Sequence, residues 1–468
     1  MAAKAGAGGP GGASAAAGGA DRLRRDALAV FGAAVRAADP EAAVRAHLRC
    51  RDGVLEVGAG PEPSARVRLP DAGRVWVVGA GKGSAPMAAA VEQVLGDRIA
   101  GGLVCVKDGH GLPLARIEVV EAAHPVPDAR GVEAGRRILE MVRGAGPDDV
   151  VVAVLSGGGS ALLGLPAPGV ALEDIQEVTR LLLAAGATIG ELNAVRKHLS
   201  QVKGGRLGAA AHPARVVNLV LSDVIGDRLD VIASGPFSPD PTTFADAREV
   251  LVRRNVWDRV PGSVRRHIEA GCRGEVEDTP KPGDPRLAGI VHAVVGSNRK
   301  SLEAAAAEAR ALGYRPLILT SRLEGEAREV GRALVTMAQE AWERGDPVAP
   351  PACLLAGGET TVTVRGEGKG GRNQEMALAM AMALEGWTGI AALSGGTDGT
   401  DGPTDAAGGL VDATSARRAR ERGLDPAEFL ERNDSYTLLR ETGDLVVTGP
   451  TRTNVMDVQV LLVAAPED

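Results

Sequence analysis

At 468 residues the chain is too long for one ordinary core, and its length sets the expectation of two α/β domains. A net charge of −7 and an aromatic content of only 2% supply neither a basic phosphate track nor a platform for stacking bases, so nucleic acid is not an expected partner. The cysteines Cys50, Cys105, Cys272 and Cys353 form no CxxC pair and no His/Cys cluster, which argues against a zinc site and a disulfide framework and fits a reducing, cytoplasmic setting.

The opening MAAKAGAGGPGGASAAAGGA is Ala/Gly-rich and lacks the leucine-rich core of a signal peptide, so residues 1–20 are expected to form a disordered tail. Asp21, Asp26 and Asp39 spoil the acid-poor pattern of a transit peptide, and no run in the chain is long and apolar enough to span a membrane. Residues 21–49 repeat apolar groups at helical spacing (Leu23, Leu28, Phe31, Ala34, Val35) and are expected to pack beside the first domain.

A buried strand at Val75–Val78 then runs into Gly79-Ala80-Gly81-Lys82-Gly83-Ser84 and a helix. The turn approaches a dinucleotide fingerprint but is no Walker A loop, since no glycine stands five residues before Gly81. It does place Lys82 at a helix mouth, where an anion is favoured. After a strand at Gly102–Val106 come His110 and His124, each of which reads as structural, and a helix at Arg130–Val142. The run VVVAVL then stops at Ser156-Gly157-Gly158-Gly159-Ser160, a strand buried on both faces followed by glycines whose N–H groups converge into an anion cradle. Neither serine has the G-x-S-x-G setting of a hydrolase.

Helices are expected at Leu172–Ala185 and Asn193–Gly208, the second carrying Arg196, Lys197, His198, Lys203 and Arg206. The next strand, Val216–Leu221, ends in SDVIGD, whose Asp223 and Asp227 are hard oxygen ligands suited to Mg²⁺ shared with phosphates. The proline-rich Ser234–Ala247 and the charged Glu275–Pro285 mark an exit from the first unit, and a strand, helix (Ser301–Leu312) and strand (Arg315–Leu319) from Gly289 are expected to open the second as a βαβ unit. The domains are accordingly set at 21–280 and 286–468. In the second, Cys353–Leu355 leads to Gly357-Gly358-Glu359-Thr360, and the loop GEGKGGRNQ carries Lys369 and Arg372 ahead of a helix at Glu375–Leu384, with Asn373 as a possible cap. Ile390–Leu393 leads to SGGTDGTDGPTDAAGG, whose Asp398, Asp401 and Asp405 lack the closing glutamate of an EF-hand. Strands so often ending in polar glycine turns are what an open α/β sheet shows around its ligand crevice.

Taken in order, GAGKGSAPM, HPVPD, LSGGGSALL, NAVRKHLSQVKGGRL, LSDVIGD, SGPFSPDPTTF, AGGETTVTV, GKGGRNQEMAL and SGGTDGTDGPTDAAGG resemble the type-2 glycerate kinase family, whose carboxyl part is the MOFRL domain. The resemblance runs from about Arg22 to about Leu462. It implies a Rossmann-like α/β/α first domain with a mostly parallel sheet, an α/β MOFRL domain, a cleft between them, and ATP- and Mg²⁺-dependent phosphorylation of D-glycerate at its C2 hydroxyl. The family's lysine and arginine fall on Lys82 and Arg372. Phosphoryl transfer asks mainly for positioning and charge neutralisation. The expected catalytic groups are therefore Lys82, Arg372 and Asp223, with Mg²⁺ on Asp223 and Asp227. Around substrate and phosphates stand Gly81, Ser156, Gly157, Gly158, Gly159, Ser160, Lys203, Glu359, Gly370, Gly371 and Asn373. The expected partners are small molecules, and the chain is expected to be a monomer or homodimer. A nicotinamide-dependent hydroxypyruvate reductase, resting on GAGKGS, and a non-catalytic sugar-phosphate sensor are the alternatives.

Overall fold

Leu23, Ala27, Val30, Phe31 and Ala34 recur in helical steps, and the computed structural model folds them into helix α1 (Pro10–Ala37). The structure describes residues 10–69 and 73–465, with side chains from residue 19 onward. The tail expected over 1–20 lies outside the described residues for positions 1–9, and the backbone from Pro10 on is helical.

One compact unit spans Pro40–Ser297. It opens with α2 (Pro40–His47) and a small antiparallel meander of β1 (Leu48–Arg51), β2 (Val54–Val57) and β3 (Ala65–Arg68), strands too short to announce themselves in the sequence. Then come β4 (Val75–Ala80), α3 (Ser84–Leu95), β5 (Ile99–Lys107), β6 (Glu118–Ala122), α4 (Ala129–Arg143), β7 (Val150–Leu155) and the short α5 (Gly159–Leu162). They are followed by α6 (Leu172–Ala184), α7 (Ile189–His198), α8 (Arg206–Ala211), β8 (Arg215–Leu221), α9 (Phe244–Arg253), α10 (Gly262–Cys272) and β9 (Ile290–Gly296).

Six strands form one sheet in the order β6-β5-β4-β7-β8-β9, every neighbouring pair parallel. Every residue of β7 is buried, as its all-aliphatic sequence requires of a central parallel strand. Counted within the sheet, the order is third, second, first, fourth, fifth, sixth, the doubly wound arrangement of Rossmann folds. Residues of α6, α7, α9 and α10 build a separate apolar cluster. The single helix expected over Asn193–Gly208 is two, because Gly204 and Gly205 take φ of +58° and +83° between them.

The other unit joins α1 to Asn298 and the residues beyond it. Its elements are α11 (Asn298–Ala311), β10 (Arg315–Leu323), α12 (Ala327–Arg344), β11 (Ala352–Gly358), α13 (Arg372–Ala383), β12 (Ile390–Gly396), β13 (Gly408–Asp412), α14 (Ser415–Glu421), α15 (Pro426–Glu431), α16 (Ser435–Thr442), β14 (Leu445–Val446) and β15 (Asp457–Val463). The sheet order is β10-β11-β15-β12-β13-β14, with only β10 and β11 parallel to their neighbour.

Two expectations change here. Helix α1 packs not beside the first domain but in this unit: its apolar stripe joins Leu302, Ala305, Leu393, Val458 and Val460, and Phe31 occupies space that only a glycine at position 395 leaves open. Polar pairs fix the same seat, with Arg24 on Asp412 at 2.7 Å and Tyr314 donating to Asp26 at 2.8 Å. The strand after Gly289 does not open a βαβ unit either. As β9 it pairs with β8 at the edge of the first sheet, while β10 lies in the second, so the compact units change at Ser297 and Asn298 rather than between 280 and 286.

Candidate active site

In an open parallel sheet a ligand crevice forms where successive connections leave two adjacent strands in opposite directions. Here those strands are β4 and β7, and the chain leaves them through Gly79–Ser84 and Ser156–Ser160. The two turns are stapled to each other. Ser156 N–H donates to Ala80 O (3.2 Å), Lys82 N–H to Gly157 O (2.8 Å), and Gly83 N–H to Ser156 Oγ (2.9 Å). Gly81, at φ +139°, lies against Ser156 so closely that any side chain would collide with it. The N–H groups that a dinucleotide fingerprint would offer a pyrophosphate are thus spent on Ser156 and on Gly81 O, the latter accepting from Ser84.

Several expected ligand groups turn out to be braces. A Cβ on Gly159 would stand 2.8 Å from Ala80 O, and Ser160 Oγ pairs with Ser234 Oγ at 2.7 Å, which in turn donates to Asn193. Lys203 Nζ donates to Ser160 O (2.6 Å) and Leu163 O (2.8 Å), tying the turn down from inside. Burial, with Arg196 nearby, pushes Lys203 down to about 7.

What the braces leave open is a small basic concavity. The N–H groups of Gly157 and Gly158 have no acceptor among the described residues, and half-buried Lys82 has no carboxylate partner there. A Cβ on Gly158 would meet His124 Nε2 at 3.0 Å and Lys82 Cγ at 3.4 Å, and one on Gly157 would run into the Asp223 carboxylate. Lys82, His124 and Asp223 therefore crowd around two glycines. Burial first, then the charges of Lys82 and Lys107 and the ring of His110, hold His124 down at about 4, so near pH 7 its ring is neutral. Asp227 occupies a turn at φ +54° with its N–H on Val224 O (3.0 Å). Among the described residues no three His, Cys, Asp or Glu side chains cluster as a metal site, and the carboxylate seen against Gly157 is that of Asp223. One carboxylate beside a phosphate cradle fits Mg²⁺, which dehydrates reluctantly and takes its other oxygens from phosphates and water.

The second polar centre lies at the edge where β11 and β12 end and β15 begins, with Asp457 in register with both Gly358 and Gly396. Arg372 grips Asp457 in two bonds, Nε to Oδ2 at 2.6 Å and Nη2 to Oδ1 at 3.0 Å, and reaches Glu359 with Nη1 at 2.8 Å. Burial raises both Asp457 and Glu359, and Arg372 works against that in each. Asn373 and Gln374, at the start of α13, donate their N–H groups to Asp401 at 3.1 and 2.8 Å. Buried Asp401 is lifted to about 6 by desolvation, although those two bonds favour its charged form.

This arrangement differs from the expected anion cradle. Gly371 is pressed on Asp401 and Gly370 on Ser435, so these glycines admit the chain's own residues rather than a ligand. Asn373 is not the cap: its side chain is buried, accepting from Ser394 Oγ at 2.6 Å. Of the expected groups, Lys82, Gly157, Gly158 and Asp223 come together in one unit, and Arg372 and Glu359 in the other. Four residues not expected there lie against these groups: His124 beside Gly158, Arg196 near Lys203, Asp401 against Gly371 and Asp457 on Arg372. The HPVPD motif and the basic helix pointed at the first two, whereas nothing local singles out Asp457, the first residue of an ordinary strand.

Comparison with known proteins agrees on the family. Residues 26–269 match a family model described as a domain of unknown function, DUF4147, and residues 352–457 match the MOFRL family. A glycerate 2-kinase of Pyrococcus horikoshii is 43% identical, covering 95% of this chain and 98% of that protein. An Agrobacterium vitis relative with the provisional name hydroxypyruvate reductase is 48% identical, covering 93% of each chain. Among solved structures, a glycerate kinase of Thermotoga maritima superposes with a TM-score of 0.84 at 43% identity, covering 95% of this chain and 100% of that one.

Proposed function

The chain belongs to the type-2 glycerate kinase family, and from that premise we propose that it transfers the γ-phosphoryl group of ATP to the C2 hydroxyl of D-glycerate, giving 2-phosphoglycerate and ADP. The observation that carries this is the concavity at the ends of β4 and β7, where the Lys82 side chain has no carboxylate partner and the Gly157 and Gly158 N–H groups have no acceptor among the described residues. Such unspent donors are suited to the charge that spreads over the equatorial oxygens of a transferring phosphoryl group.

In the reaction the C2 oxygen attacks the γ-phosphorus, the bond to the β-phosphate oxygen breaks, and the hydroxyl proton departs. Lys82 and the two glycine N–H groups take up the phosphoryl charge. Asp223 stands where it can accept the proton or hold Mg²⁺, which when bound would neutralise phosphate oxygens. His124, neutral near pH 7, adds no positive charge and can donate or accept one hydrogen bond. Arg372 is fixed through its two bonds to buried Asp457, and its bond to half-exposed Glu359 is the one that an acceptor carboxylate can replace. The occupied N–H groups of the Gly79–Ser84 turn count against the reductase alternative, since they leave no pyrophosphate seat.

The test is product identification by ³¹P NMR with D-glycerate, ATP and Mg²⁺, beside an NADH trace with hydroxypyruvate. A 2-phosphoglycerate signal and a flat trace are expected. A phosphorus spectrum without new signals and falling NADH would overturn the kinase.

A further inference from the structure

Beside the Gly157–Gly158 concavity lies a cavity of about 420 Å³, within the size range of small-molecule sites. It begins at His124 and Gly158 and runs between the proline-stiffened Pro125–Pro127 segment and α6. Most of its wall is apolar, and Val126 and Leu183 on its rim stay 59% and 57% exposed, large hydrophobic groups that the chain itself leaves uncovered. Its charge sits at one end: Arg196, half-buried and without an ion-pair partner among the described residues, near Lys203, whose Nζ is already bonded to Ser160 O. The other arginine on the rim, Arg180, is paired with Glu177.

An apolar chamber with cations beside the phosphoryl concavity suits the two proposed substrates unequally. Glycerate carries an oxygen on each of its carbons and has no apolar face to bury. A nucleoside triphosphate has a flat aromatic base at one end and phosphates at the other. Resting on the kinase proposal above, we infer that this cavity seats the donor nucleotide: the base lies between the Pro125–Pro127 segment and α6, and Arg196 holds the phosphates whose terminal group enters the Lys82 concavity. Burial disfavours the charge on Arg196, a cost that an anion beside the guanidinium would offset.

The inference separates the kinetic constants of the two substrates. Arg196→Met removes the phosphate contact, and Thr179→Trp, on the half-exposed α6 wall, fills the base position. Each is expected to raise the KM for ATP by about tenfold or more while the KM for D-glycerate stays within about twofold. ADP binding measured calorimetrically without glycerate should weaken in parallel. Photolabelling of the wild-type protein with an azido-ADP should mark residues 124–127 or 172–183, a readout independent of whether a variant folds. An unchanged ATP KM in both folded variants, a selective rise in the glycerate KM, or labelling elsewhere would overturn the assignment. A wild-type protein that binds and labels with azido-ADP in the cavity yet makes no phosphoglycerate would retire the kinase proposal and leave the nucleotide site standing.

Discussion

After β7, the turn Ser156–Ser160 leaves the Gly157 and Gly158 N–H groups without an acceptor among the described residues, beside a lysine side chain with no carboxylate partner there; ahead of α13, the turn Gly366–Gln374 gives its Asn373 and Gln374 N–H groups to Asp401 and its arginine to Asp457 and Glu359. Both are glycine-rich, both carry a basic residue and both lead into a helix. They differ in what the rest of the chain brings to them. Around Lys82 the fold supplies one carboxylate, Asp223, set against Gly157; around Arg372 it supplies Asp457, Glu359 and Asp401. The first turn offers a basic side chain that the chain has not paired with a carboxylate among the described residues, while the arginine of the second is already held by Asp457 and Glu359, and its arm to Glu359 is the one that can be released.

The largest expected effect divides the two cations. On the proposed role, Lys82→Ala removes a charge with no carboxylate partner among the described residues and should lower kcat by about 10²–10³ with thermal stability close to wild type. Arg372→Ala should lose activity too, but it leaves buried Asp457 without its partner, at a cost of about 3 kcal/mol in unfolding free energy. Urea unfolding of both variants checks the contrast, and equal stabilities would mean that the Asp457 pair is not the frame described above.

A smaller effect distinguishes neighbouring glycines. Gly158 holds φ +83°, so Gly158→Ala should cost about 1 kcal/mol of stability through backbone strain. Gly157 has no such constraint on φ, but a Cβ there collides with the Asp223 side chain, which must move. Gly157→Ala should therefore displace Asp223, lower kcat by about tenfold and shift the Mg²⁺ concentration needed for half-maximal rate upward. A rate loss with unchanged Mg²⁺ dependence would assign Asp223 to the hydroxyl proton instead.

Much of this was legible in the sequence because parallel strands buried on both faces are written as uninterrupted aliphatic runs. Val150–Leu155 and Ile390–Leu393 stand out for that reason, and so does Lys82 in its turn. The seat of α1 was not legible, since an Ala-rich apolar stripe fits either sheet and the choice was made by Phe31 meeting Gly395 far along the chain. The closed state of the Gly366–Gln374 turn was hidden for a similar reason. Its occupants, Asp401 and Asp457, arrive from distant loops and strands, and a glycine that admits an aspartate is spelled like one that admits a phosphate.

The smallest effect probes that occupant directly. Asp401 is raised from the ordinary carboxylate range to about 6 by burial, against the pull of the Asn373 and Gln374 N–H groups. A carboxyl whose folded pKa is raised contributes stability in full below its unfolded pKa and loses it as pH rises through the folded value. Asn at this position does not titrate, can accept only through its one oxygen, and presents an NH₂ group to the second backbone donor. Asp401→Asn should therefore cost about 1 kcal/mol at pH 8, where the wild-type cap is charged, and about 1–2 kcal/mol more near pH 4, where the wild-type carboxyl is protonated and free of its desolvation penalty. Contributions from titrating groups that do not interact with Asp401 cancel in the difference between the two proteins. A gap that stays constant between pH 4 and 8 would mean that Asp401 ionises as an exposed carboxylate does, and that the turn before α13 is as open to ligand as the one after β7.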